Sequence, residues 1–214
     1  MRLRLGVLIS GRGSNLQALI DAACDPAYPA EVALVISNKP DAAGLDRARA
    51  AGIATLVLKP KDFADKAAHE AAMTAALERA GVGLVCLAGY MRLLSPVFVT
   101  AWHDRLINIH PSLLPAFPGL DTHAKAIDTG VRFHGCTVHF VRVEMDTGPI
   151  IVQAAVPVAD DDTPDRLAAR VLTQEHKAYP LAVRLIAEGR VSVEGNRVAV
   201  RGGAVPNAMI APIA

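Results

Sequence analysis

The sequence predicts a single α/β domain, a mostly parallel, doubly wound (Rossmann-like) sheet with helices on both faces. Three observations predict it. Through the first half of the chain, short apolar runs alternate with Gly, Ser or Asn turns and Ala-rich segments of helical spacing, the pattern of parallel strands joined by crossover helices. Hydrophobic residues make up 52% of the 214 but aromatics only 4%, which describes a core of Ala, Val, Leu and Ile and excludes a disordered chain. Lys plus Arg number 22 against 21 Asp plus Glu, so the formal charge of +1 supplies no general field for gathering polyanions. A length of 214 residues suits one core and one site.

Taken in order, Leu3 to Ile9 is a first strand, leading through Ser10-Gly11-Arg12-Gly13-Ser14-Asn15 into a helix that begins near Leu16. Val32 to Ile36 is a second strand, followed by Ser37-Asn38-Lys39-Pro40 and a helix from Asp41 to Ala50. Thr55 to Leu58 is a third strand, Asp62 to Ala80 a long helix capped by Asp62 and stopped at Gly81, and Leu84 to Ala88 a fourth strand. Leu106 to His110 is the fifth strand, Pro111 to Gly119 a Pro-rich loop, and Asp121 to Thr129 a short helix. Gly135 to Val143 and Pro149 to Val158 alternate apolar residues as strands do, a helix runs from Thr163 to Ala187, and Val191 to Val200 is a hairpin around Glu194-Gly-Asn-Arg. The expected organisation is a domain over 1–190, with halves 1–100 and 101–190, and a hairpin and tail over 191–214.

Cys24, Cys86 and Cys136 are odd in number and lack CxxC spacing, which argues against a disulfide framework or a thiolate zinc site and suits a reducing cytoplasm. The apolar run after Met1 soon meets a glycine turn, too short for a signal segment, and no stretch approaches the roughly 20 apolar residues of a membrane span. The seven histidines include no i, i+4 pair and no HExxH, so no metal is expected. Small molecules, rather than nucleic acid or membrane, are the expected partners.

Five features carry candidate chemistry. Gly11-Arg-Gly-Ser-Asn15 lies between a strand and a helix, where glycines permit close backbone approach and a helix N-terminus offers free N–H groups to a phosphate. Leu16 breaks the GxGxxG dinucleotide fingerprint and no Lys-Ser/Thr follows, which favours one phosphate over a pyrophosphate; a plain turn with Ser14 or Asn15 as N-cap is the alternative. In Leu106-Ile-Asn108-Ile-His110-Pro111, Asn108 and His110 share one side of a strand end, where open α/β sheets bind ligands. An amide beside an imidazole suits acyl transfer, and with no Ser or Cys evidently paired to His110 the transfer is direct; two unrelated polar residues at a strand end are the alternative.

Glu144-Met-Asp146-Thr-Gly-Pro149 is a turn from which Asp146 can orient His110 and favour the imidazolium, or simply a turn. Glu175 falls on the apolar stripe Leu167, Val171, Leu172, Ala178, Leu181, Leu185, where a carboxylate needs a partner unless the helix edge is wet. Pro180 is expected to loosen the helix near His176. Gly89-Tyr-Met-Arg-Leu-Leu-Ser-Pro96 lines an apolar slot for a flat ring or belongs to the core.

In this order, the motifs resemble the folate-dependent glycinamide ribonucleotide formyltransferases of purine synthesis. The resemblance runs from Val7-Leu-Ile-Ser-Gly-Arg-Gly-Ser-Asn-Leu-Gln through Ile107-Asn-Ile-His-Pro-Ser-Leu-Leu-Pro to Met145-Asp-Thr-Gly-Pro-Ile-Ile and Thr173-Gln-Glu-His, about the first 190 residues. It implies transfer of a formyl group from 10-formyltetrahydrofolate, with no metal, by a monomer or homodimer. Asn108, His110 and Asp146 would be catalytic; Gly13, Ser14 and Asn15 would hold the phosphate and Glu175 the ribonucleotide. Lys66, Met91, Arg92, Leu93, Leu94, Asn108 and the loop Arg142, Val143, Glu144, Met145, Asp146 would hold the folate. Arg12, Lys66 and Leu172 depart from the family pattern, Lys66 giving a looser, monodentate contact than arginine, and the tail after Val191 has no counterpart.

Methionyl-tRNA formyltransferase and formyltetrahydrofolate hydrolase share the chemistry but carry a further RNA-binding or regulatory domain, for which 214 residues leave no room. A non-catalytic nucleotide-binding module would leave Asn108, His110 and Asp146 dispensable, and an NAD-dependent oxidoreductase would need a third glycine at Leu16.

Overall fold

The structure is a computed structural model describing residues 1–203 and 211. Strands β1 (Leu3–Ile9), β2 (Ala30–Ser37), β3 (Ala54–Val57), β4 (Leu84–Leu87), β5 (Leu106–His110), β6 (Phe133–Phe140) and β7 (Ile150–Pro157) form one sheet in the order β3-β2-β1-β4-β5-β6-β7. Pairings among β1 to β5 are parallel and β6 pairs antiparallel with β7, giving the mostly parallel sheet the alternation predicted. The helices are α1 (Ser14–Ala23), α2 (Gly44–Ala50), α3 (Lys66–Arg79), α4 (Pro96–Ala101), α5 (Thr122–Thr129) and α6 (Pro164–Ala187), and β8 (Val191–Glu194) pairs with β9 (Arg197–Val200) in a separate hairpin.

The chain divides into two compact units, residues 1–108 with 140–143, and 109–139 with the chain from 144. In the first, strand order reverses between β1 and β4, and the carboxyl ends of strands at such a switch point are where doubly wound sheets bind ligands. Its core is aliphatic, as the composition requires: Leu8, Leu34, Ile36, Met73, Leu77, Val85, Phe98 and Trp102 are buried together, each large aliphatic side chain contributing roughly 1.5–3 kcal/mol. In the second unit α6 packs on β7, and Leu167, Val171, Tyr179, Ala182, Val183 and Leu185 form its buried face.

Several boundaries move. The long helix starts at Lys66, not Asp62: Asp65 is the N-cap, accepting from Ala68 N at 2.7 Å, and Asp62 ends a short 3-10 turn begun by Pro60. Helix α2 begins at Gly44 rather than Asp41. Helix α4 was not expected; Ser95 caps it and Pro96 occupies its first position, where a missing N–H costs nothing. On α6 the stripe is corrected at Leu181, which is exposed, with Tyr179, Ala182 and Val183 taking the buried positions. Helix α6 runs through Pro180 as one element of 24 residues.

Candidate functional site

The glycine loop follows β1. Gly13 sits at the N-cap of α1 with φ 71, a left-handed conformation open to glycine, and no side chain caps the helix. The helix therefore starts without the Ser14 or Asn15 side-chain cap that a plain turn would supply. The loop is braced by α2: Gly44 N donates to Gly11 O at 3.0 Å, and Arg47 Nε donates to Arg12 O at 3.0 Å. A Cβ built on Gly13 would stand 2.6 Å from Gly44 Cα, so two glycines are needed for this close approach. Arg47, which sequence reasoning passed over, brings a guanidinium to the loop and also donates to Gln17 Oε1 at 3.3 Å.

The segment after β4 is held at both ends. Ser10 N donates to Gly89 O at 3.1 Å and Ser10 Oγ accepts from Met91 N at 2.9 Å. At the other end Ser95 N donates to Glu70 Oε1 at 3.0 Å and the Ser95 hydroxyl donates to Glu70 Oε2. Glu70 is buried on α3, one turn from Lys66, whose Nζ lies 3.9 Å from its carboxylate. Between these anchors Met91, Arg92 and Leu93 are exposed, while Leu94 packs on the core. Two large apolar side chains, Met91 and Leu93, thus stand in solvent on an anchored segment and are not part of the core. Burial beside this segment pushes the Tyr90 hydroxyl up to about 12, against the pull of Arg92 and with the help of Glu70.

In the same unit Asn108 lies half-buried near the end of β5, in register with Leu87 of β4. Arg142 turns its guanidinium onto Asp104, 2.7 Å away, at the root of the loop that follows, and Val143 is exposed.

The second unit assembles His110 and Asp146. The His110 ring is buried, its Nδ1 3.6 Å from Asp146 Oδ1 and its Nε2 3.1 Å from Phe117 O. Both ring nitrogens thus face oxygen atoms. The Asp146 carboxylate is only 8% exposed; its second oxygen accepts from Gly119 N at 2.9 Å, and His139 Nε2 lies 4.0 Å from its first. Asp146 and Phe117 both adopt positive φ, 58 and 54, a conformation uncommon for residues with a Cβ. The loop bearing Phe117 is tied down by Leu114 N donating to Thr137 Oγ1, Thr122 Oγ1 donating to Pro111 O and Ser112 Oγ donating to Ala116 O. His139 gave no sequence signal beyond being a histidine on a strand.

Beside this pair, His134 and His123 meet at 3.2 Å, and burial, with help from His123, lowers His134 to about 4. Glu175 is buried on α6 as its spacing predicts; burial and the Glu175 charge push the Cys136 thiol up to about 12. Glu144 and Met145 are exposed. Among the described residues no cluster of His, Cys, Asp or Glu is arranged to hold a metal, and no helix is long and apolar enough to cross a membrane.

A family model described as formyl transferase matches residues 3–183. The chain belongs to the formyl transferase family. Among family relatives it is 47% identical over 204 residues to the phosphoribosylglycinamide formyltransferase of Escherichia coli, covering 95% of this chain and 96% of that one. It is 54% identical over 190 residues to the trifunctional purine biosynthetic protein adenosine-3 of Drosophila melanogaster, covering 88% of this chain but spanning only 14% of that relative's length. A crystal structure of glycinamide ribonucleotide transformylase 1 from Symbiobacterium toebii superposes with a TM-score of 0.91 at 52% identity, covering 94% of each chain.

Proposed function

We propose that this formyl transferase is a phosphoribosylglycinamide formyltransferase, moving the formyl group of 10-formyltetrahydrofolate to the amine of glycinamide ribonucleotide in purine synthesis. The observation that carries the reading is a buried carboxylate, Asp146, set against the Nδ1 side of His110 on the strand that also bears Asn108, within a chain of the formyl transferase family. The near-complete coverage of the Escherichia coli relative supports it. We place the enzyme in the cytoplasm, with the phosphate loop in 1–100 and the catalytic residues in 101–190.

Gly13, Ser14 and Asn15 hold the substrate phosphate through the N–H groups of the α1 start, with Arg47 adding charge. Glu175 holds the ribonucleotide near its ribose or glycinamide end. Met91, Leu93, Val143 and Met145 give the flat pterin an apolar lining, Leu94, Arg92, Arg142 and Glu144 flank it, and Lys66 meets the anionic folate tail. The folate, when bound, supplies the formyl group.

As the amine attacks the formyl carbon, charge grows on the formyl oxygen. Asn108 Nδ2–H is the donor that meets it, worth on the order of 3 kcal/mol, and a protonated His110, its ring nitrogens facing Asp146 and Phe117 O, stabilises it by its charge. Asp146 holds the His110 ring and offsets its charge, while Gly119 N–H fixes the carboxylate. The amine loses one proton and the departing folate nitrogen gains one as the carbon–nitrogen bond breaks; Asp146 relays it through water.

His110→Ala and Asp146→Asn are each expected to lower kcat at least about a hundredfold while ribonucleotide binding, read by calorimetry, stays within about threefold. Normal turnover in either variant refutes the assigned roles.

A further inference from the structure

Ser10 is the last residue before the glycine loop, and its side chain does something no motif reports. The ladder between β1 and β4 closes with Ala88 N donating to Leu8 O at 2.9 Å and Ser10 N donating to Gly89 O at 3.1 Å. Beyond that point the β1 backbone turns away into Gly11, so the next rung has no main-chain carbonyl to use. The Ser10 hydroxyl takes its place, accepting from Met91 N at 2.9 Å. The same hydroxyl donates its proton to Asn38 Oδ1 at 2.6 Å, which leaves its lone pairs facing the Met91 N–H. Ser10 is buried, 5% exposed, so these bonds are made away from competing water. One hydroxyl therefore joins the ends of β1, β2 and β4 where strand order reverses.

On one side of this joint is the loop read above as the phosphate site; on the other is Met91, first residue of the segment read as the folate lining. The loop's remaining braces, Gly44 to Gly11 and Arg47 to Arg12, lie further along it. Ordering the loop around an anion is passed along Arg12 and Gly11 to Ser10, and a Ser10 held in one rotamer fixes Met91.

We propose that Ser10 is a positioning residue that couples the two substrate sites, so that a ribonucleotide phosphate on the glycine loop tightens the Met91–Leu94 segment toward the folate. The inference rests on the site assignments under Proposed function. By linkage the coupling is reciprocal, and couplings of this kind amount to about 5- to 150-fold in affinity.

The test uses the full chain with glycinamide ribonucleotide and tetrahydrofolate, a pair that binds without turnover because neither carries a formyl group. The Kd of tetrahydrofolate is measured by calorimetry without and with saturating ribonucleotide. In the wild type the ribonucleotide is expected to tighten folate binding at least about fivefold, and in Ser10→Ala this ratio is expected to fall below about two. A merely structural loss would weaken both ligands and leave the ratio unchanged, and an unchanged ratio in folded Ser10→Ala overturns the proposal. Should Ser10→Ala not fold, hydrogen exchange on the wild type decides: ribonucleotide is expected to slow the Met91 amide several-fold relative to that of Val85, and equal slowing overturns the coupling. Two ligands that bind the wild type independently refute the coupling alone, whereas failure of either to bind at all refutes the site assignment beneath it.

Discussion

Substituting Gly13 by alanine perturbs the phosphate loop at its tightest point. The new Cβ would stand 2.6 Å from Gly44 Cα and 3.4 Å from Gly44 N, and both contacts are with backbone, which cannot rotate away. At φ 71 a side chain also costs roughly 1–2 kcal/mol, and overpacking adds about 1–3 kcal/mol. If the loop resists, the fold loses about 2–5 kcal/mol. At about 2–4 °C per kcal/mol for a chain of this size, the melting temperature drops by roughly 4–20 °C. If it yields, it does so by moving the N–H groups at the start of α1, and losing one charge-assisted hydrogen bond of about 1.5–3 kcal/mol raises the KM for ribonucleotide roughly 10- to 150-fold. Steady-state kinetics with each substrate varied, together with a melting curve, separate the two. Gly11→Ala is the internal control, since nothing lies within 4 Å of a Cβ there; it should cost less than about 1 kcal/mol. Equal rises in both KM values, or a Gly13→Ala enzyme with wild-type melting and kinetics, would refute the reasoning.

Glu70→Ala removes the acceptor for Ser95 N–H, leaving a part-buried donor unsatisfied at about 1–3 kcal/mol; KM for folate is expected to rise about tenfold and KM for ribonucleotide to stay within twofold, while Glu70→Gln, which keeps an acceptor, stays near wild type. His134 at about 4 in the fold against 6.5 unfolded means the unfolded chain binds the extra proton between those pH values. Stability from this residue is therefore whole above pH 6.5 and lost as pH falls toward 4, up to about 3 kcal/mol. Urea unfolding of wild type and His134→Gln at pH 7 and pH 4 checks this, and identical pH dependence contradicts it. Cys136, pushed up to about 12 by burial and Glu175, should resist a thiol reagent at pH 8 in the folded enzyme while exposed Cys24 reacts at once; labelling followed by peptide mapping distinguishes them.

What the sequence revealed was local. β5 ends at His110 because Pro111 cannot continue the ladder, and Thr163 caps α6 through Arg166 N, both legible from adjacent residues. The start of α3 was misread because Asp62 and Asp65 are equally good cap residues, and only the 3-10 turn at Pro60 decides between them. Helix α4 has a clear Ser-Pro start but six residues, too few for periodicity to register. Leu181 was assigned inward because the stripe was projected straight along a long helix, whereas Tyr179, Ala182 and Val183 carry its buried face. The supports of the site were invisible for a different reason: Ser10 reaches Met91 across 81 positions, Arg47 reaches Arg12 across 35, and Glu70 reaches Ser95 across 25. Such bonds follow from topology, which places strand ends side by side, and no local pattern encodes them.

The central claim, formyl transfer to a ribonucleotide amine, is tested most directly by mixing the enzyme with 10-formyltetrahydrofolate and following tetrahydrofolate release, with and without glycinamide ribonucleotide. Release that begins only when the ribonucleotide is added, matched mole for mole by formylglycinamide ribonucleotide, is the predicted result. Release at the same rate with no amine present would contradict it and make the protein a hydrolase.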